Sequence, residues 1–211
     1  MVSGNLVPMN ALILVDLQND FLPGGALAVP DGDAVVPLAN RLIGQFDLVV
    51  ATQDWHPPHH VSFAATHSGR RPYDTIRVGG LPQTLWPVHC VELTGGACFA
   101  PGLDTSRITH IFQKGTDASV DSYSGFFDNG RRHATGLADW LRERGVTDLT
   151  MCGLATDYCV RATALDAISE GFRVRLIEEG CRGVNVAPGD VARALDEMKQ
   201  AGVLIAAPSR F

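Results

Sequence analysis

Ala11-Leu12-Ile13-Leu14-Val15-Asp16 sets five apolar residues in an unbroken row and closes them with an acid. A half-exposed strand alternates apolar and polar side chains, whereas a continuous run is what a strand buried on both faces presents. The run therefore predicts an interior strand of a covered sheet. Comparable runs recur at Leu48-Val49-Val50-Ala51, Ile108 to Phe112, Leu149 to Leu154, Val174 to Ile177 and Val203 to Ala206. Helical periodicity falls between them at Ala34 to Gln45, Ala134 to Glu143, Asp157 to Glu170 and Val191 to Gln200, with Thr156 and Asp190 as N-caps of the last two. This alternation predicts a doubly wound α/β fold, a six-stranded and mainly parallel sheet with helices on both faces. The stretch from Pro57 to Ser106, rich in Gly, Pro and His, shows no period and predicts a long loop of the kind that usually carries function. Neither a repeat nor a linker composition divides the chain, so residues 1–211 read as one domain.

Composition narrows the function. Hydrophobic residues make up 45% and charged residues 19%, the balance of a packed globule rather than a disordered chain. A net charge of −6 offers no basic field for phosphates, which argues against nucleic acid and for a small partner. No apolar run approaches the ~20 residues of a membrane span, and the first ten residues carry neither Lys nor Arg nor an apolar signal core. No membrane association and a cytoplasmic location are the resulting expectations. The five cysteines, Cys90, Cys98, Cys152, Cys159 and Cys181, are odd in number and lack Cys-x-x-Cys spacing, so neither a disulfide framework nor a thiolate zinc site is indicated.

In an open parallel sheet, ligands bind beyond the carboxyl ends of the strands. Asp16, Asp54, Lys114 and Cys159 each fall at or just past such an end. Cys159 lies in the predicted first turn of the Asp157 to Glu170 helix, where free backbone N–H groups would stabilise a thiolate and lower the thiol pKa. Cys152, inside a strand, reads as a small core residue. Asp16 needs a partner at the end of a buried strand, and Lys114 can serve, although from position alone Lys114 reads equally well as a snorkelling surface residue. A carboxylate to take the proton and an ammonium to favour the thiolate would make Asp16, Lys114 and Cys159 an activated nucleophile. Asp54 and His56, two apart, would face one way on a continued strand. With His89 from the long loop they form a carboxylate and two imidazoles suited to zinc or iron. His59 and His60, beside prolines, read as solvated loop residues. Phe21, Trp86, Tyr123 and Tyr158 could stack a flat ring, or simply pack.

Six segments, in order, carry a resemblance: Asp16-Leu17-Gln18-Asn19-Asp20-Phe21, Asp54-Trp55-His56-Pro57, Trp86-Pro87-Val88-His89-Cys90-Val91, Lys114-Gly115, Asp121-Ser122-Tyr123-Ser124-Gly125-Phe126 and Gly153-Leu154-Ala155-Thr156-Asp157-Tyr158-Cys159-Val160. Together they resemble the nicotinamidase/pyrazinamidase branch of the isochorismatase-like cysteine hydrolases over nearly the whole chain. The resemblance implies hydrolysis of nicotinamide, and of pyrazinamide, through a cysteine thioester, in NAD salvage. Asp16, Lys114 and Cys159 match the family's catalytic triad. Asp54, His56 and His89 match its ligands for one divalent metal ion, with zinc, iron and manganese all compatible. Phe21, Trp86 and Tyr123 would line the ring pocket, with Tyr158 close by. The backbone N–H groups of Ala155 and Cys159 would form an oxyanion hole, beside a cis peptide between Ala155 and Thr156. The family commonly continues Gln-Gly-Thr after His89-Cys90-Val91, where this chain has Glu92-Leu93-Thr94, a departure that bears on the loop at the pocket entrance.

Two other readings remain open at this level. One is a related amidase acting on carbamoyl or ureido compounds, or an isochorismatase, neither of which gives the metal set a purpose. The other is a non-catalytic nicotinate-binding protein, against which the intact Asp16, Lys114 and Cys159 argue. The sequence leaves a homo-oligomer open.

Overall fold

A computed structural model describes residues 9–206. Residues 1–8, which supply most of the leader reading, lie outside that range. The order is β1 (Met9–Val15), α1 (Val35–Ile43), β2 (Leu48–Asp54), β3 (Thr75–Val78), β4 (Leu81–Thr84), β5 (His110–Lys114), α2 (Leu137–Glu143), β6 (Val146–Leu154), α3 (Arg161–Ser169), β7 (Arg173–Arg182), α4 (Asp190–Gln200) and β8 (Leu204–Ala206). Six strands form one sheet in the order β5-β2-β1-β6-β7-β8, and every pairing in it is parallel. The sheet is thus wholly rather than mainly parallel.

The chain begins at the centre, moves outward from β1 to β2 and β5, then returns to lay β6 on the other side of β1. Right-handed crossovers in opposite directions put α1 on one face and α2, α3 and α4 on the other. That double cover explains the unbroken apolar runs, since Ala11 to Val15 are fully buried and β2 is buried throughout. The reversal also creates a crevice at the carboxyl ends of β1 and β6, the place where such folds bind ligands.

Several boundaries differ from the sequence expectation. The strand expected at Ile108 to Phe112 runs from His110 to Lys114, because β5 lies at an edge and needs no continuous apolar run. The helix expected from Ala134 starts at Leu137, after a left-handed Gly136. Neither expected cap acts as one: the residue preceding the Thr156 turn is Ala155 and that preceding α4 is Gly189, while the Asp190 carboxylate accepts from the Ala187 N–H. Within the expected long loop, β3 and β4 pair antiparallel about Gly79-Gly80.

The loop after His89 returns to β2, where the His56 N–H donates to Cys90 O at 2.9 Å and the Glu92 N–H donates to His56 O at 2.8 Å. Leu93 is 89% exposed and sits at φ 62°, a left-handed conformation in which its side chain gains no burial. Left-handed backbone costs a β-carbon-bearing residue about 1–2 kcal/mol, partly offset in glycine by its greater unfolded freedom. Leu93→Gly is therefore expected to raise stability by about 0.5–1 kcal/mol. Urea unfolding checks this, and an unchanged or lower midpoint would contradict the strain.

Candidate active site

Asp16 leaves the end of β1 at φ 48° and is fully buried. Its Oδ1 accepts the Thr52 hydroxyl at 2.6 Å. Its Oδ2 lies 2.9 Å from Lys114 Nζ, yet accepts no aligned hydrogen bond and so keeps a lone pair free. Lys114, the last residue of β5, is 1% exposed, which removes the snorkelling alternative. Its ammonium lies 2.5 Å from Asp54 Oδ1, 3.1 Å from Ser122 O and 3.4 Å from Cys159 Sγ. The lysine thus bridges two carboxylates and the thiol. The contacts with Asp16 and Cys159 match the sequence expectation, and the one with Asp54 goes beyond it.

Cys159 is not in the first turn of a regular helix. It occupies a π-helical turn, Thr156–Val160, that follows β6 and precedes α3. Nor is its thiol pKa lowered as expected: burial pushes it well above its usual value, Lys114 pulls against that, and Asp16 and Asp54 add to the rise. Burial also raises Asp16, against the pull of Lys114 and with the help of Asp54. In Asp54, burial is outweighed by Lys114 and His56, which hold its carboxyl well below the ordinary range. Burial opposes the Lys114 charge, but Asp16 and Asp54 keep it firmly protonated. Two carboxylates with opposed shifts mark a proton acceptor, Asp16, beside a permanent anion, Asp54. Cys152 is also raised by burial but has no cation near it, as fits a core residue.

The other oxygen of Asp54 faces two imidazoles, with Oδ2 3.4 Å from His56 Nε2 and 3.7 Å from His89 Nε2. Each ring's far nitrogen meets a backbone carbonyl, His56 Nδ1 to Gly115 O at 2.9 Å and His89 Nδ1 to Pro87 O at 2.8 Å. A carbonyl only accepts, so in the neutral rings the proton sits on Nδ1 and the Nε2 lone pairs point at the carboxylate. Three electron-rich atoms converging in a buried site fit a divalent cation. Asp54, His56 and His89 offer ligand atoms within 4.8 Å of one another. Gly115 permits the arrangement, because a β-carbon there would come within 2.4 Å of His56 Cε1.

Phe21, Trp86, Tyr123 and Tyr158 line one narrow cleft with Asp54, His56, His89, Ala155 and Cys159. Trp86 meets Tyr158 edge to face at 4.7 Å and donates from Nε1 to the Tyr123 hydroxyl at 3.2 Å. The cleft thus combines aromatic rings with the Asp54, His56 and His89 side chains and the thiol. His60 departs from expectation: it is buried, its ring lies 4.3 Å from that of His56, and its Nδ1 pairs with Ser62 Oγ at 2.7 Å. The cis peptide is at Leu154–Ala155, where β6 ends, one residue before the expected place.

Several supporting residues were not singled out from the sequence. Gln18 accepts from the Asp54 N–H at 2.7 Å and donates from Nε2 to Asp54 O at 2.8 Å, locking the end of β2. Asp20 accepts the Cys90 N–H at 2.7 Å and so holds the His89 loop. Gln83, from β4, donates to Asp121 Oδ2 at 2.8 Å behind Tyr123. All three brace backbone or side chains far away in sequence, and no local spacing announces that.

The fold and this buried edge together define a doubly wound α/β enzyme of the hydrolase type. The Isochorismatase domain family matches residues 10–207, and the chain belongs to that family. It is 53% identical to the nicotinamidase of Escherichia coli strain K12 over 203 residues, covering 94% of this chain and 95% of the relative. A solved nicotinamidase and pyrazinamidase from Acinetobacter baumanii superposes with a TM-score of 0.90 at 45% identity, covering 93% of this chain and 94% of that one. The pyrazinamidase of Pyrococcus horikoshii, solved in complex with zinc, superposes with a TM-score of 0.76 at 43% identity, covering 94% and 99%. Among the described residues, no helix is long and apolar enough to cross a membrane.

Proposed function

We propose that this chain, acting as a single domain, is a nicotinamidase that hydrolyses nicotinamide to nicotinate and ammonia, accepts pyrazinamide as well, and serves NAD salvage in the cytoplasm. The observation that carries the reading is the Lys114 ammonium, shared by Asp16, Asp54 and the Cys159 thiol at one end of an aromatic cleft. High identity to nicotinamidases over nearly the full length supports the substrate.

In the proposed cycle Asp16 takes the Cys159 proton as Sγ attacks the carboxamide carbon, so that no free thiolate need accumulate. Lys114 stays charged and balances Asp16 in both of its protonation states. The backbone N–H groups of Ala155 and Cys159 hold the tetrahedral oxyanion. Asp16 then returns its proton to the leaving nitrogen, and ammonia departs. Water deprotonated by Asp16 hydrolyses the thioester and frees nicotinate and the thiol. Phe21, Trp86, Tyr123 and Tyr158 hold the ring and keep bulk water out. Asp54, His56 and His89 would hold one divalent ion, zinc, iron or manganese, whose chemistry when bound is that of a Lewis acid able to anchor an aromatic nitrogen.

Ammonia release from nicotinamide by the purified protein tests the reading, with a panel of carbamoyl and ureido compounds beside it. Turnover of those compounds but not of nicotinamide would overturn it, as would tight nicotinate binding without turnover. Removing the metal with a chelator is expected to lower both turnover and the thermal midpoint. An ion present at about 100 times its Kd contributes about 2.7 kcal/mol, or roughly 5–10 °C for a chain of this size. Full activity and an unshifted midpoint after stripping would remove the ion from the scheme.

A further inference from the structure

Asp157 is 3% exposed and has no part in the cycle above. It lies two residues before Cys159, in the same π-helical turn, and its carboxylate reaches the segment that follows β7. One oxygen accepts the Val184 N–H at 3.0 Å and the other the Asn185 N–H at 2.7 Å. The segment is pressed close. A β-carbon on Gly183 would come within 3.0 Å of Asp157 Oδ1 and 2.2 Å of Val191 Cγ2, and Asn185 is held at φ 55°. Val184, strapped in this way, is one of the residues that line the cleft, together with Phe21, Leu27, Tyr158 and Cys159.

We propose that Asp157 is a positioning residue which straps Gly183 to Asn185 onto the nucleophile's turn, and that the strapped Val184 limits how bulky a ring the cleft admits. The physical ground is the shared turn. Cys159 and the carboxylate are two residues apart, so the gap between the reacting sulfur and the Val184 wall is set by two charge-assisted hydrogen bonds and not by the slack of the chain. The substrate class this selects is a flat six-membered aromatic carboxamide without a substituent on the Val184 side. The proposal rests on the amidase reading for its consequence, but not for the strap itself.

Asp157→Asn keeps the shape and turns one acceptor into a donor facing a backbone N–H. Hydrogen exchange at the Val184 and Asn185 amides should accelerate at least tenfold in that variant. The ratio of kcat/KM for nicotinamide to that for its 5-methyl and 6-methyl derivatives should fall at least fivefold, through KM more than kcat. Gly183→Ala, which crowds the strap from its other side, should move the ratio in the same direction and serves if the first variant does not fold. Unchanged amide protection overturns the strap. An equal loss of kcat/KM on all the amides, with the ratio unmoved, overturns its role in selection. If the native protein hydrolyses none of them, the amidase reading fails alone, and the same ratio is read from binding of nicotinate and its methyl derivatives.

Discussion

Cys159→Ala is expected to cut ammonia release from nicotinamide by four orders of magnitude or more. The scheme has one atom that can form the thioester, and removing a nucleophile that works as a unit with its base costs about as much as removing the whole constellation. The loss should be chemical and not structural. The replaced group is a small sulfur beside Lys114 Nζ, and Lys114 keeps both carboxylates, so the charged cluster stays neutralised. Nicotinate affinity, read by calorimetry, and the thermal midpoint should stay near those of the native protein. Turnover within a hundredfold of native would mean that water, and not Sγ, attacks the amide.

Asp16→Asn is expected to lower turnover by about 10³-fold, within the range that a positioned base contributes, while the thiol becomes more reactive toward an alkylating agent. The two effects have opposite signs for one reason. Asp16 is an anion that raises the Cys159 pKa, whereas Lys114 lowers it. With asparagine in place the ammonium acts with less opposition and a larger fraction of thiolate forms at pH 7, but no group remains to pass a proton to the leaving nitrogen or take one from water. Peptide mapping after iodoacetamide treatment reads Cys159 apart from the other four cysteines. Slower alkylation together with slower turnover would point to a collapsed site, and the base would have to be sought elsewhere. Since both residues serve one step, Asp16→Asn combined with Cys159→Ala should be no slower than Cys159→Ala alone.

What could be read in the sequence follows from where each residue is buried. β1 and β2 are covered on both faces, so Ala11 to Val15 and Leu48 to Ala51 are unbroken apolar runs, while Thr150 and Gly153 interrupt the corresponding run of β6. At the sheet's edge β5 carries exposed Ile111 beside Gln113, and its limits slipped by two residues. The β3–β4 pair lies in a stretch without a clear period, and Gly79-Gly80 is its one hairpin signal. Thr75 to Val78 alternates over only four residues, and Pro82 interrupts the pattern of Leu81 to Thr84. Asp16, Lys114, Cys159, Asp54, His56 and His89 come together at one sheet edge, where strand ends and the six motifs coincide. The upward direction of the thiol's pKa rests on one fact that sequence does not carry, the depth of burial of the whole cluster. The same holds for His60, whose flanking prolines suggest a surface loop, although the backbone turns its ring inward against His56.

The return of the chain to lay β6 against β1 has a consequence in time as well as space. Val15 pairs with Gly153 across most of the sequence, and the crevice does not exist until that pairing closes. Contacts between such distant segments are slow to form, because the loop entropy is spent before they repay it. The ribosome must therefore have released everything from β1 through β6 before the reactive thiol acquires a lysine. During synthesis or refolding Cys159 passes through a period as an ordinary exposed cysteine, open to oxidation, and only the completed sheet shelters it.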